Sequence, residues 1–117
     1  MPEDLKVITK TNDLILWCLP QIIKFPKVHR FTVGERMENL LFDILEALIE
    51  ARYSKGKKEI LRRVNLLLEK FRYLVRICVS MRFLSLKKYE YLSREINEIG
   101  KLIGGWARQQ AETAKVD

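Results

Sequence analysis

Lys57, Lys58, Arg62, Arg63, Lys70, Arg72 and Arg76 fall in one stretch of chain where only Glu59 and Glu69 oppose them. Side chains of this type do not trade protons at neutral pH; they hold anions. Arginine offers a planar fork that grips two phosphate oxygens at once, and lysine a mobile point charge. The chemistry available here is therefore electrostatic binding of a polyanion, a sugar-phosphate backbone first of all, with steep salt dependence. Tyr73 lies among these cations. Its ring suits base stacking, although packing is the ordinary use of a half-buried tyrosine. Lys27 and Arg30, further upstream, are candidates either for phosphate contact or for a structural role at a helix junction. The bland reading of the basic stretch is a solvated helix exterior, or pairing with nearby carboxylates.

Other chemistries find little to work with. The sequence contains no glycine-rich phosphate loop, GxSxG, HExxH, or paired acid–histidine motif of a di-iron bundle. The single histidine, His29, precedes every arginine, so the Arg-then-His motif of small helical HEPN ribonucleases cannot form. Cys18 and Cys78 are far apart with no CxxC, and are expected as small buried hydrophobes. No catalytic residue, metal site or cofactor is expected, and the chain is read as a non-enzyme.

The elements that must carry the cations are helices. At 117 residues the chain is long enough for a single core, and its net charge of +7 with pI near 9.6 favours an anionic partner. From Lys57 to Phe83 the apolar residues Leu61, Val64, Leu68, Phe71, Val75 and Cys78 step by three and four. Ile60, Leu67, Leu74 and Met81 step by seven beside them. The spacing predicts one long helix with a core stripe opposite a basic side.

A first helix is expected over residues 5 to about 25, ended by Phe25-Pro26. Its segment Leu14 to Leu19 is apolar all the way round. The helix is either wedged between two others or turns Leu14, Leu16 and Trp17 toward another subunit. Thr32 and Glu35 form a potential capping box before a second helix running to Tyr53. That helix has an acidic outside: Glu35, Glu38, Asp43, Glu46 and Glu50 against Arg36. After a Ser85 N-cap, Tyr89, Leu92, Ile96, Ile99, Ile103 and Trp106 form the seam of a fourth helix. Gly100, Gly104 and Trp106 read as packing elements. The fold class expected is all-α, an up-down four-helix bundle over residues 1–108, followed by a polar, loose tail over 109–117. The longest apolar run is too short to span a bilayer, and the opening Met1-Pro2-Glu3-Asp4 is not a secretory n-region. A cytoplasmic location without membrane partners is expected.

The segment Phe25-Pro26-Lys27-Val28-His29-Arg30-Phe31-Thr32-Val33-Gly34-Glu35-Arg36 resembles the signature of the accessory variability determinant (Avd) proteins of diversity-generating retroelements. Leu84-Ser85-x-x-x-Tyr89-Glu90 and Glu98-Ile99-Gly100-x-x-x-Gly104-Gly105-Trp106 match the same family in order and spacing. A more distant similarity is to the four-helix proteins of ribosomal RNA intervening sequences. Gly34-Glu35-Arg36-Met37 and Phe42-Asp43-Ile44 stand where that sister family shows different runs. The Avd resemblance implies a barrel-like homopentamer of basic four-helix protomers. It also implies binding to the reverse transcriptase and to template-repeat RNA or cDNA, in support of mutagenic retrohoming. Two other readings are a protein–protein scaffold with a positive face, and an intervening-sequence-type RNA binder outside any retroelement.

Overall fold

The computed structural model describes residues 2–116, with side chains through Glu112. Four long helices account for most of the described residues, among which there is no strand. They are α1 (Glu3–Ile23), α2 (Glu35–Tyr53), α3 (Lys57–Ser80) and α4 (Leu86–Val116). Each packs antiparallel to the next, and α4 closes the ring against α1. The resulting bundle measures 52 × 24 × 21 Å.

The core follows the period-3.6 stripes. Phe71, Met37, Leu41, Ile44, Leu48, Leu61, Leu68, Leu92, Ile96, Ile99 and Ile103 are fully buried, each stabilising the fold by about 1.5–3 kcal/mol of transfer free energy. Thr11 is a buried polar residue, and its hydroxyl donates to the Val7 carbonyl at 2.8 Å within its own helix. Polar links along the α1–α4 seam add register: Lys10 Nζ to Glu95 Oε2 at 3.0 Å and Lys88 Nζ to Gln21 Oε1 at 2.7 Å.

Several expectations need correction. The connection after Phe25-Pro26 is itself helical. Lys27–His29 forms a helical turn, and Arg30–Gly34 a π-helical turn that runs straight into α2. Thr32 therefore caps nothing; its hydroxyl points back to the His29 carbonyl at 3.3 Å. Phe31 is exposed, while Gly34 is buried. A Cβ on Gly34 would stand 2.9 Å from Ile22 Cγ2, so this glycine is what lets the π-turn lie against α1.

The long third helix stops at Ser80 rather than Phe83. The Phe83 amide bonds the Cys78 carbonyl at 2.8 Å and the Arg82 amide bonds that of Val79 at 3.0 Å, with Arg82 at φ 64°. This is a Schellman closure with an arginine in the left-handed position that glycine usually fills. The Lys88 amide donates to Ser85 Oγ at 3.2 Å, as an N-cap serine should receive it. The fourth helix runs past Arg108 to Val116, so residues 109–116 of the expected loose tail are helical, and Asp117 lies outside the described residues. Ala, Gln, Glu and Lys dominate that segment, and all favour a helix.

The apolar run on α1 is divided among neighbours. Leu14, Ile15 and Cys18 enter the chain's own core, with Leu14 only 4% exposed. Trp17 turns to α4 and packs on Tyr91, ring centroids 4.9 Å apart. Of Leu14, Leu16 and Trp17, Leu16 alone faces outward. The helix is wedged between α2 and α4, which is why the run is greasy on more than one side.

Candidate nucleic-acid interface

The basic residues of α3 are positioned by the stripe opposite them, because burying Leu61, Val64, Leu68, Phe71 and Val75 forces the intervening turns outward. The structure sorts them into three groups. Lys57 belongs to the end of α2: its Nζ donates to the Ala51 carbonyl at 2.7 Å and to that of Arg52 at 3.0 Å. It completes the terminal turn of a neighbouring helix, which turns two of its three N–H donors away from the interface assigned to it. Arg63 and Arg72 each meet a carboxylate, Glu50 at 3.1 Å and Glu69 at 2.8 Å. Lys58, Arg62, Lys70 and Arg76 are exposed, and none forms an ion pair with a described carboxylate.

The acidic outside of α2 thus neutralises little of the basic face. Of its five acids only Glu50 reaches across to α3. Tyr73 is exposed, with the Arg76 guanidinium 4.9 Å above its ring. Between the cations the outer face of α3 also shows Leu66, Ile77 and Met81, all about half exposed. The surface is mixed, basic with an apolar ridge, rather than uniformly charged.

Lys27 and Arg30 lie at the other end of the bundle from Lys57 and Lys58, in the turn joining α1 to α2. His29 of that turn packs on Phe83, just past the end of α3, at 4.8 Å between ring centroids. Lys27 is exposed; Arg30 is half-buried, and its Nε has no hydrogen-bond partner. It lines a hollow with Ile22, Ile23, Phe31, Glu35, Glu38 and Asn39. Two acids in that lining make it a poor seat for phosphate.

One grouping was not anticipated. Arg72 and Arg76 face Tyr89, Ser93 and Asn97 of α4 across a cleft of about 180 Å³, floored by Val75 and Ile96. Arg72 is steered into place from two sides: Nη1 bonds Glu69, and Nη2 bonds Asn97 Oδ1 at 3.3 Å. Gly100 leaves the space it needs, since a Cβ there would sit 3.2 Å from Arg72 Nη2. Sequence reasoning placed Tyr89 in the core seam and passed over Ser93 and Asn97. Their signal was the i, i+4, i+8 spacing, which aligns three polar side chains along one edge of α4.

A second surface joins α1 and α2. Arg52 faces α1, where Asp4 lies 3.7 Å away. Ile49 and Phe42, three and ten residues earlier on the same helix, share that side and are about 40% exposed. Leu16 and Ile23 of α1 and Phe31 of the π-turn are more than 60% exposed. Of these, Ile23 and Phe31 line a hollow between α1 and α2 with Ile22 and Asn39.

Burial raises both thiols, Cys18 to about 12 and Cys78 to about 11, and Cys78 Sγ lies 3.5 Å from Met37 Sδ in the core. Neither is a nucleophile at neutral pH. Among the described residues no helix is long and apolar enough to cross a membrane.

Against known proteins, the family model described as bAvd-like matches residues 6–110, nearly the whole bundle. No curated protein and no solved structure matches the chain.

Proposed function

The chain belongs to the bAvd-like family, the accessory variability determinant proteins, and we propose that it acts as a non-catalytic, nucleic-acid-binding subunit beside a retroelement's reverse transcriptase. The carrying observation is that Lys58, Arg62, Lys70 and Arg76 stand exposed on α3 without an ion-pair partner among the described carboxylates. Uncompensated cations at helical spacing suit the phosphates of template RNA or of the cDNA made from it. The apolar ridge of Leu66, Tyr73 and Ile77 among them suits a partner that presents protein and nucleic acid together, as a polymerase on its template does.

Self-association is part of the same reading. Leu16, Ile23, Phe31, Phe42 and Ile49 leave exposed apolar surface on α1, the π-turn and α2 for another subunit to cover. Of the residues first assigned to such an interface, Leu16 remains in it and Leu14 leaves it for the core. A closed pentamer, the assembly implied by the family, would repeat the basic face around a ring and steepen the salt dependence. The location proposed is cytoplasmic, with no membrane partner.

The test is a filter-binding titration of labelled template RNA at two salt concentrations, with the wild type and the Arg62→Glu/Arg76→Glu double variant. Loss of binding in the variant with unchanged helicity and melting supports the reading. Equal binding by both proteins overturns the assignment of α3, and no binding by either at low salt overturns the function.

A further inference from the structure

The cleft between α3 and α4 has a lining whose chemistry is one-sided. Its polar groups are the guanidinium groups of Arg72 and Arg76, the Asn97 amide, and the hydroxyls of Ser93 and Tyr89; no carboxylate is among them. Because Asn97 Oδ1 already accepts from Arg72, its Nδ2 is left with two N–H donors to give. Arg72 spends one N–H on Glu69 and one on Asn97, which leaves three of its five. Arg76 has no hydrogen-bond or ion-pair partner among the described residues, only the Tyr73 ring beneath it. Both hydroxyls are free to turn a proton inward. The cleft is thus a collection of donors in want of an acceptor.

Charge and size agree on what fits. Glu69 answers Arg72 from outside the cleft, so Arg76 contributes one net positive charge, the match for a single phosphodiester. At about 180 Å³, the cleft holds roughly six waters at about 30 Å³ each. That is below the roughly 300 Å³ at which pockets begin to enclose whole small-molecule ligands. A phosphate with the ends of its two sugars fits. The apolar floor of Val75 and Ile96 lowers the local dielectric and strengthens each charge-assisted bond made there.

We propose that this cleft is a seat for one backbone phosphate of RNA or DNA, gripped by Arg72 and Arg76 from α3 and by Asn97 and Ser93 from α4. The proposal rests on the polynucleotide-binding reading given above and gives it a fixed point. On an open helix face phosphates exchange freely among cations; a recessed seat sets the register of the strand on the bundle. Gly100 leaves room beside the seat: a Cβ there would stand 3.2 Å from Arg72 Nη2 and would shift that guanidinium by a few tenths of an ångström.

The test uses fluorescence anisotropy of labelled oligo-uridylate and oligo-thymidylate with four full-length proteins: wild type, Asn97→Asp, Ser93→Ala and Asn65→Asp. Asn97→Asp puts a carboxylate beside Arg72, which keeps the fold and fills the seat with the wrong charge. Asn65→Asp makes the same charge change on the exposed part of α3 outside the cleft. Asn97→Asp should weaken both oligonucleotides about tenfold or more, and Ser93→Ala about two- to tenfold, while Asn65→Asp has only a small effect. If Asn97→Asp and Asn65→Asp weaken binding alike and Ser93→Ala is silent, the seat is refuted while the basic face stands. If the wild type binds neither oligonucleotide in dilute salt, the functional reading itself fails. Ser93→Ala, which changes no charge and sits at a half-buried edge, keeps the test valid should Asn97→Asp not fold.

Discussion

The Lys57 ammonium sits 2.7 Å from the carbonyl oxygen of Ala51, across the tight connection between α2 and α3. A cation there satisfies the Arg52 carbonyl, adds to the long Ser54 amide bond on that of Ala51, and meets the negative end of the α2 dipole. Lys57→Met should therefore cost stability, about 1 kcal/mol, read from urea midpoints, and leave RNA affinity much closer to wild type than Arg62→Met does. Comparable losses of affinity in the two variants would return Lys57 to the interface.

Arg62 and Arg63 are neighbours in sequence with different charge environments. Arg63 shares its charge with Glu50 at 3.1 Å, and both side chains are more than half exposed, so that pair contributes only about 0–1 kcal/mol to the fold. Arg62→Gln should lower RNA affinity more than Arg63→Gln and reduce the salt slope by about 0.7–0.9. The double-logarithmic plot of affinity against salt gives both quantities. A larger effect at Arg63 would mean that Glu50 releases it on binding.

Arg82 holds φ 64° to close α3. A left-handed residue with a Cβ costs about 1–2 kcal/mol, partly offset by the extra freedom glycine gives the unfolded chain. Arg82→Gly should raise stability by about 0.5–1 kcal/mol, seen as a higher thermal midpoint. A drop would show that the Arg82 side chain makes a compensating contact.

At Gly34 the balance runs the other way. Alanine gains helix propensity, but its Cβ would meet Ile22 Cγ2 at 2.9 Å in a packed interior. Gly34→Ala should destabilise by about 1–3 kcal/mol. Pairing it with Ile22→Ala, which removes the clashing Cγ2 itself, should make the two losses less than additive in a double-mutant cycle.

The buried thiols make a pH prediction. Cys18 titrates near 12 in the folded chain against an ordinary 9.0. Above pH 9 the unfolded state releases this proton and the native state does not, so stability falls with rising pH. The slope is about 1.4 kcal/mol per pH unit per thiol and continues toward the folded value. Cys18→Ala should flatten the decline of the urea midpoint between pH 9 and 11 relative to wild type. A parallel decline in both proteins would place the effect on other groups.

The four helices and the core were legible because their signal is periodic. Leu61, Val64, Leu68, Phe71 and Val75 announce one buried side, and Leu92, Ile96, Ile99 and Ile103 another. The π-turn was not legible: Thr32 and Glu35 present capping chemistry, and only the approach of Gly34 to Ile22, a tertiary fact, overrides it. The interface was half legible. The cations could be named from sequence, but Lys57 is withdrawn by carbonyls five and six residues earlier in the chain. The arrangement of Arg72 with Asn97 depends on how α3 and α4 face each other, which no linear spacing records. The place of Leu14 stayed open between core and subunit contact because an all-apolar run does not say which neighbour covers each side.

The order in which the helices touch has a kinetic consequence. Each of α1, α2 and α3 packs against its successor, and among the described residues the α1–α4 contact joins the helices farthest apart in the chain. Contact order is consequently low, and such bundles fold in about microseconds to milliseconds. Three hairpin-like steps can precede the single long-range closure, so the Arg72–Asn97 cleft, built on the α3–α4 pair, is expected to take shape before Lys10 and Glu95 latch the ring.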